Sequence, residues 1–379
     1  MRSTIKYIGY YSTSEITPKR SIPLAGRNKM DYTISVLSRI FGKVEIISPA
    51  TIMQGEREAK AAIVPINNKV SLRLFSSIRS INRLGNRLNY IFTQFQLLLY
   101  LLKNTSKDEP VLVYHSLAIA KVVKLAKKIK KFKLILELNE IYSDVTPKMA
   151  KRRKQEMGII SKADAFLFPN EQMNGMFNHA GRPHAVGYGN YQQTESLSKK
   201  FDDGKIHVVY AGTLDSSKGG AIASVEAAAY INENYHLHIL GFGSKSEIDN
   251  INHAIENIRN RSRCSITYDG QLDGKTFLEF LQKCHIGLST QNPNARFNAT
   301  SFPSKILTYF ANGLQVVSVE IPAISDSKLH DHITFYKEQT PDSIAKAILS
   351  VKDFAPHYSL LDNLDARFEK DLRQLFSSL

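Results

Sequence analysis

Short apolar runs recur along the whole chain, and longer amphipathic segments separate them. Runs of this length predict buried strands, while the segments between them have the 3.6-residue period of helices. Alternation of this kind predicts parallel sheets with helices on both faces, so we expect an α/β fold with two Rossmann-like, doubly wound sheets. The predicted strands are Ile5–Tyr11, Val44–Ser48, Val111–His115, Leu134–Leu138, Ala165–Pro169, Ile206–Ala211, His236–Gly241, Ser265–Asp269, Ile286–Thr290 and Gln315–Glu320.

The polar stretch Tyr191–Lys205 has no apolar period and precedes a new strand, so it is the predicted linker. A chain of 379 residues is long enough for two domains. We therefore predict an N-terminal domain over residues 1–192, a second domain over 193–355 and a final helical segment over 356–379.

Two helical segments of the first half invite a second interpretation. Residues 88–102 are strongly apolar but shorter than the roughly 20 residues that span a bilayer, so they predict a buried helix. Residues 121–133 place Val122, Leu125, Ala126, Ile129 and Phe132 on one stripe among seven lysines. This second pattern fits either a sheet-covering helix with a solvated face or a helix that contacts an anionic membrane surface.

The net charge of +15 is unevenly distributed. Residues 1–200 hold 33 Lys and Arg against 14 Asp and Glu, whereas residues 201–379 hold 17 against 21. A basic half suits an anionic membrane, an acidic substrate or a nucleic acid. The half contains no aromatic-basic RNA motif and no recognisable DNA-reading helix, so we expect no nucleic-acid partner.

Cysteine usage and the N-terminus both favour a cytoplasmic location. The two cysteines, Cys264 and Cys284, make no disulfide framework, and no Cys/His group has zinc-ligand spacing along the sequence. The first residues turn polar at Ser12 and predict a core strand, not a signal peptide. We accordingly expect neither a structural metal nor export.

Two segments of the second half carry phosphate-binding chemistry. In Val208–Gly220 a strand runs into a glycine turn and a helix, and Lys218 adds a cation there. In Thr300–Val317, Pro303 opens a helix whose first turn holds Ser304 and Lys305. A lysine at that place opposes the helix dipole, which indicates a bound anion.

The order of these segments resembles the family-4 type of retaining glycosyltransferases, which have the two-domain GT-B fold with an interdomain cleft. The resemblance spans nearly the whole second half, in the segments Gly212–Gly219, Leu237–Gly243, Ile266–Gly270, Cys284–Thr290 and Pro303–Val317. In the first half it is looser and includes His115 at a strand end, Ser161–Gln172 and His184–Tyr191. It also implies that the final helix returns to the N-terminal domain.

The resemblance implies a retaining glycosyltransferase that moves a sugar from a nucleotide sugar, most often a UDP-sugar, to a glycan or lipid-linked glycan acceptor. The setting it implies is bacterial surface polysaccharide synthesis, on the inner face of the membrane. No cofactor is expected, and the sequence has no D-x-D triplet for a metal. The implied catalytic residues are His115, which holds the sugar, and Lys218 and Lys305, which stabilise the leaving phosphate. The implied donor-binding residues are Gly212, Thr213, Lys218, Gly243, Ser304, Lys305 and Thr308.

For the acceptor, the resemblance implies the loop Ser12–Lys29, with Ala25, Gly26 and Arg27, and Glu140 after a later strand. Three positions depart from the family's pattern. Thr213 replaces an arginine, and Thr300 and Thr308 fall where the family has paired glutamates. These departures leave two alternatives open: a degenerate, non-catalytic protein that binds a glycan or partner, and a sugar-nucleotide epimerase.

Overall fold

Two largely parallel sheets organise the chain, and each belongs to its own compact unit. The structure, a computed structural model, describes residues 4–145, 147–216 and 218–379. The first unit comprises residues up to Gly189 together with Ala366–Leu379, and the second comprises Asn190–Asp365. The predicted α/β class with two doubly wound sheets is confirmed.

The first sheet has eight strands in the order β3-β4-β2-β1-β5-β6-β7-β8. All neighbours pair in parallel except β3 and β4. Its central strands are nearly continuous apolar runs because helices cover both faces. The strands are β1 Thr4–Ile8, β2 Lys43–Ser48, β3 Ala62–Pro65, β4 Val70–Leu74, β5 Pro110–Tyr114, β6 Lys133–Glu137, β7 Ala165–Phe168 and β8 His184–Val186.

The second sheet has six parallel strands in the order β11-β10-β9-β12-β13-β14. Strand β9 is central, with β10 in full register on one side and β12 on the other. The strands are β9 Ile206–Thr213, β10 Tyr235–Phe242, β11 Ser265–Gly270, β12 Ile286–Ser289, β13 Gln315–Val319 and β14 Ile333–Tyr336.

Helices connect the parallel strands, as right-handed crossovers require. Those of the first unit are α1 Leu24–Ile40, α2 Arg83–Asn104, α3 Ala120–Lys130, α4 Tyr142–Val145, α5 Arg153–Ile160 and α6 Glu171–Phe177. Those of the second are α7 Gly220–Ala227, α8 Lys245–Arg259, α9 Gly274–Lys283, α10 Lys305–Ala311, α11 Pro322–Ser325 and α12 Pro341–Ser350. Helix α13, Tyr358–Ser377, begins in the second unit and ends in the first.

All ten predicted strands exist, and four further strands were not predicted. Strand β3 is a largely exposed antiparallel edge strand, and the proline that ends its short apolar run at Pro65 argues against a strand. Strands β8 and β14 have only three and four residues. Short edge strands of this kind lack the long buried run by which the others were predicted.

The helix predicted over residues 88–102 exists as α2, but it is buried only in part. Its buried side holds Asn89, Thr93 and Gln94 in the first half and Leu97, Tyr100 and Leu101 in the second. The apolar residues of the first half face solvent: Leu84, Leu88, Ile91 and Phe95 are 66%, 52%, 53% and 55% exposed. Phe92 and Leu99 continue this exposed apolar stripe.

The inversion of α2 has a physical cause in the segment after β4. The Asn89 carboxamide bonds the Ser77 hydroxyl and both backbone groups of Ile78, at 2.9 to 3.1 Å. The Gln96 carboxamide bonds the backbone of Ser76 in the same way. The Ser77 backbone pairs with Ala59, whereas Ser76 and Ile78 on either side have no strand partner. The polar side of α2 satisfies these two residues. Among the described residues, no helix combines the length and apolar composition needed to cross a bilayer.

Helix α3 also differs from its predicted orientation. Its buried side holds Ala120, Val123 and Ala126, whereas Leu125 and Ile129 of the predicted apolar stripe are exposed among the lysines. The pattern allowed two neighbouring stripes, and packing against α2 and α5 selects the narrower one of small residues.

We expect Asn89→Ala to lower the free energy of unfolding by about 1–3 kcal/mol, because it removes the side chain that bonds both backbone groups of Ile78 and leaves the Ser77 hydroxyl with the Ile52 N–H alone. Asn86→Ala, at an exposed asparagine of the same helix, is the matched control and should change it by less than about 0.5 kcal/mol. Urea unfolding measures both variants. Equal effects would contradict the anchoring role of Asn89.

Candidate functional site

The second sheet reverses its strand order beside β9, and its candidate site lies there. The chain places β10 and β11 on one side of β9 and then β12 to β14 on the other. The connections on the two sides of β9 therefore leave the sheet in opposite directions. This opens a crevice at the carboxyl ends of the strands, where α/β proteins bind ligands. A cavity of about 190 Å³ at this edge is lined by Ala211, Gly212, Leu240, Gly241, Phe242, Gln271, Leu272 and Phe277.

Tyr309 fixes helix α10 against the two diverging strands. Its buried hydroxyl accepts a hydrogen bond from the Ala211 N–H at 2.9 Å and donates one to the Leu288 carbonyl at 3.1 Å. The ring lies on Gly287, where a Cβ atom would come within 2.2 Å of it. This contact holds α10 so that its first residue, Lys305, reaches the end of β9.

Lys305 lies against Gly212 and the ring of Tyr210. Its Nζ is 4.1 Å from the ring centroid, and a Cβ atom on Gly212 would come within 3.0 Å of it. In the described part of the chain no carboxylate pairs with Lys305. Burial, together with the positive charge of Lys218, lowers the pKa of Lys305 to about 7. A half-buried cation without a counter-ion indicates a site for an anion.

Lys218 is the second cation of this edge. It lies exposed in the turn between β9 and α7, where its N–H bonds the Asp215 carbonyl at 3.1 Å. Gly219 follows in the left-handed region at φ 67° and begins helix α7. The two predicted lysines, 87 residues apart in sequence, are close enough for one charge to lower the pKa of the other.

The other predicted donor residues have varied environments. Thr213 ends β9, and its carbonyl accepts from the Tyr210 hydroxyl at 3.0 Å. Ser304 is exposed, and its side chain makes no cap bond to α10. Thr308 donates to the Ser304 carbonyl at 3.3 Å within the helix. Gly243 lies between the end of β10 and the capping box that begins α8. The turn into this helix explains a glycine here without a bound ligand.

Thr300, where the family has a glutamate, is turned away from the exposed edge. It is 1% exposed, and its hydroxyl oxygen has no hydrogen-bond partner among the described residues. The threonine therefore fills core space before α10, while Thr308 bonds its own helix.

The first sheet has its own reversal point at β1, between β2 and β5. His115 follows β5 there and is 1% exposed. Its Nε2 lies 2.9 Å from Glu156 Oε1, while its buried Nδ1 has no partner within the described residues. Burial tends to raise the pKa of Glu156, but hydrogen bonds from His115 and Ser143 outweigh it and lower the pKa. In the neutral ring, a proton on Nε2 bonds this carboxylate and leaves Nδ1 as an acceptor.

The predicted acceptor loop over residues 12–29 ends earlier than expected, because α1 begins at Leu24. Gly26 and Arg27 consequently lie in the first turn of a helix. A Cβ atom on Gly26 would come within 3.3 Å of the Tyr114 hydroxyl. Burial, with the nearby charge of Glu140 among the smaller causes, raises the pKa of Tyr114. Gly26 and Glu140 thus lie around one tyrosine.

Two further acceptor predictions have different outcomes. Arg27 lies with its Nε 3.6 Å from Asp31 Oδ2, in an ion pair along α1. The side chain of Ala25 lies outside the described part of the structure. Its backbone belongs to α1.

Glu137 and Lys29, which the sequence offered only as separate acceptor contacts, lie in a buried polar network beneath this edge. Glu137, at the end of β6, bonds the hydroxyls of Tyr7 and Thr33, and burial raises its pKa. Lys29 donates to the Gly187 carbonyl at 2.8 Å, and burial lowers its pKa to about 8. These groups come from four distant segments, so no local motif marks them.

The second unit also contains a histidine cluster that sequence spacing did not show. His207, His236 and His238 offer ring nitrogens within 4.8 Å of one another. They lie at the amino ends of β9 and β10, opposite the two lysines. Their approach depends on strand pairing, since 29 residues separate His207 from His236.

No family model matches the chain, and no curated protein sequence matches it. The fold is that of several solved structures. Sucrose-phosphate synthase from Thermosynechococcus elongatus is similar over 100% of both chains, with a TM-score of 0.69 and 13% identity. Anabaena HepE in complex with UDP and glucose is similar over 99% of both chains, with a TM-score of 0.62 and 13% identity.

The α,α-trehalose 6-phosphate synthase of Burkholderia multivorans covers 100% of this chain and 96% of its own, with a TM-score of 0.61 and 13% identity. Likeness at this identity establishes the fold. The chain therefore has the GT-B fold that the sequence resemblance implied.

We expect the Lys305 ammonium to titrate near pH 7, and Lys218→Met to raise that pKa by removing the like charge. Lysine-directed NMR of the side-chain nitrogen or of the adjacent methylene measures the titration. Lys346→Met, at a fully exposed lysine of α12, should leave it unchanged. A midpoint near 10.5 in the parent protein would contradict the geometry described for Lys305.

Proposed function

We propose that the chain is a glycosyltransferase that moves a sugar from a nucleoside diphosphate sugar to an acceptor, with retention at the anomeric carbon. The observation that carries this proposal is Lys305, an unpaired cation held beside Gly212 and Lys218 where the sheet reverses. Two ammonium groups at such an edge suit a diphosphate better than a monoanion.

The chemistry follows from where charge develops. Breaking the bond between sugar and diphosphate builds negative charge on the leaving phosphate oxygen. Lys305 and Lys218 stabilise that charge more in the transition state than in the bound donor, which lowers the barrier. We propose that these two side chains supply the positive charge that the reaction needs, without a divalent cation.

The cavity beside Gly212 is the proposed place for the nucleotide base. Phe242 is 55% exposed at its rim, and Phe277 lines it from α9. An exposed aromatic ring next to a diphosphate site suits stacking on a planar base. Similarity to HepE, which was solved with UDP and glucose, favours uridine.

In the first unit, His115 Nδ1 is an unsatisfied acceptor oriented by Glu156. We propose that it accepts a hydrogen bond from a hydroxyl of the sugar. Glu140 and the Gly26 turn beside Tyr114 are the proposed contacts of a glycan or lipid-linked acceptor, in surface polysaccharide synthesis.

Binding of UDP-glucose, measured by calorimetry, tests the donor site. Lys305→Ala should weaken binding at least tenfold, whereas Lys346→Ala on α12 should not change it. Above pH 7 the parent's affinity should fall by up to about tenfold per pH unit, because the neutral Lys305 amine must take up a proton. Lys305→Arg stays charged, so its affinity should depend less on pH.

Two other outcomes would indicate one of the alternative functions, and a third would support the transferase. No binding of UDP, GDP, CDP, ADP or TDP conjugates at millimolar concentration would leave the non-catalytic interpretation. A new sugar isomer without acceptor would indicate an epimerase. Slow release of UDP from UDP-glucose, lost in Lys305→Ala, supports a transferase.

We further propose that the first unit acts while bound to an anionic membrane surface. The apolar stripe of α2 comprises Leu84, Leu88, Ile91, Phe92, Phe95 and Leu99, and α2 contains no acidic residue. Its neighbour α3 is also free of acidic residues and exposes Leu125 and Ile129. Apolar side chains flanked by cations fit the boundary between headgroups and acyl chains.

The charge beside the stripe favours anionic lipid over another protein surface. A cavity of about 700 Å³ on α3 is lined by Lys121, Lys124, Leu125, Lys127, Lys128, Lys131, Phe132, Lys133, Lys162 and Asp164. Only one of these lining groups is acidic, and it pairs with Lys127. The remaining ammonium groups suit phosphate headgroups, each contributing about 1 kcal/mol near a charged surface.

Cosedimentation with vesicles tests the membrane proposal. The parent should bind vesicles containing phosphatidylglycerol, and Leu88→Gln with Ile91→Gln should weaken binding at least tenfold by removing buried apolar area. Tyr230→Gln, at an exposed aromatic of the second unit, is the control. Equal binding to neutral vesicles, or no effect of the α2 variant, would contradict the proposal.

A further inference from the structure

Three histidines from two neighbouring strands meet at the amino end of the second sheet. His207 on β9 lies directly opposite His236 on β10, and His238 follows two residues later on the same face. Their ring nitrogens lie within 4.8 Å of one another. His207 and His238 are buried, and His236 is half-buried. The cluster is thus assembled within the sheet, and His236 is its most exposed member.

Each ring of the cluster is oriented by an oxygen atom. His207 Nδ1 lies 2.8 Å from His238 Nε2, so these two nitrogens face each other. On the outer sides, His207 Nε2 lies 2.8 Å from Asp203 Oδ1 and His238 Nδ1 lies 3.0 Å from Asp269 Oδ2. The Thr267 hydroxyl lies 3.1 Å from His236 Nε2.

The two inner nitrogens face each other across the 2.8 Å gap, so at least one of them offers a lone pair there. The outer nitrogens of His207 and His238 lie beside carboxylates, and Thr267 Oγ1 also lies 3.1 Å from His238 Nδ1. The gap is therefore lined by imidazole nitrogens whose outer sides are already bonded.

We propose that this gap is a site for a divalent transition metal, with Zn²⁺ as the probe, in which the metal lies between the two inner nitrogens. His207 Nδ1 and His238 Nε2 are two ligands, and His236 supplies the third imidazole. Asp203 and Asp269 lie beside the outer nitrogens of His207 and His238 and can accept their N–H groups. Hydrogen bonds of this kind fix the tautomer of metal-bound histidines. Imidazole ligands select zinc, nickel or copper over magnesium or calcium.

Metal binding requires the inner nitrogens to separate and the nearly coplanar rings of His207 and His238 to turn toward the metal. Tetrahedral zinc with Zn–N of about 2.0–2.1 Å separates two ligand nitrogens by about 3.3 Å. The inner pair opens by about 0.5 Å from its 2.8 Å contact. His236 turns inward by rotation of its half-buried ring. Phe201 stacks on His207 at 4.2 Å and closes the cluster from one side.

The neighbouring charged and polar groups already have other partners. The Lys205 ammonium donates to Ser265 Oγ at 2.7 Å, and His285 Nδ1 accepts from the His207 backbone N–H at 3.0 Å. His207 precedes Gly212 by five residues, about 17 Å along an extended strand. The metal would therefore tie β9, β10 and the segment of Asp203 together, at a distance from the donor lysines.

Calorimetry on the full chain without an affinity tag tests the site. After dialysis against a chelator, Zn²⁺ should bind once per chain and raise the melting temperature by several degrees at saturation. His236→Gln should bind at least tenfold more weakly, and His253→Gln, at an exposed histidine of α8, should bind like the parent.

Two results would overturn the inference. One is the lack of a one-to-one zinc complex in the parent. The other is unchanged zinc affinity in His236→Gln, whose melting temperature in chelator should match that of the parent since the residue is half-buried. Co²⁺ added to the unmodified protein gives a check that needs no variant, because three imidazoles in a four-coordinate site produce intense visible absorption bands. Weak, octahedral-type bands would also contradict the site.

Discussion

The second unit depends on the phenol of Tyr309, because β9 and β12 stop pairing just where the ligand edge begins. Their ladder ends with Leu288 opposite Tyr210. The Tyr309 hydroxyl takes over by bonding the Ala211 N–H and the Leu288 carbonyl. One buried side chain thus satisfies the diverging backbone, and at the same time it anchors α10. The position of Lys305 follows from that anchor and not from the short helix itself.

Helix α2 shows a related compromise in the first unit. After β4 the backbones of Ser76 and Ile78 have no strand partners, and the helix that covers them presents carboxamides to them. The apolar side chains of its first half, with Leu99, are then left on the opposite side, while Leu97 and Leu101 are buried. An exposed apolar stripe is costly for a protein surrounded only by water. The cost of exposing these residues disappears where the acyl chains of a membrane cover them.

Much of the fold could be predicted from the sequence because central parallel strands are continuous apolar runs. Lys218 and Lys305 were also predictable as phosphate-binding residues. Each lies in a local pattern of strand, turn and helix that by itself indicates a phosphate site. The orientation of α2 was not, because the apolar period shows which residues share a side but not which side is buried. The Asn89 contact decides that, and its partners lie eleven and twelve residues away.

Contacts between distant segments explain why the remaining site features were not predicted from the sequence. His207 and His236 become neighbours only through the register of β9 with β10, and spacing rules for metal motifs consider one segment at a time. Glu137 and Lys29 belong to a network of several strands for the same reason. Glu156, which orients His115, lies 41 residues further on in a helix. No motif at His115 indicates it.

Lys305 has a chemical consequence apart from ligand binding. Most lysine amines are protonated at neutral pH and react slowly with electrophiles, but a pKa of about 7 leaves roughly half of this amine unprotonated. The side chain is therefore a nucleophile at the same place where an anion is expected. An aldehyde or active ester that carries a phosphate group would be drawn to this edge and trapped there. The feature that suits Lys305 to a diphosphate also makes it the residue through which the site can be covalently labelled.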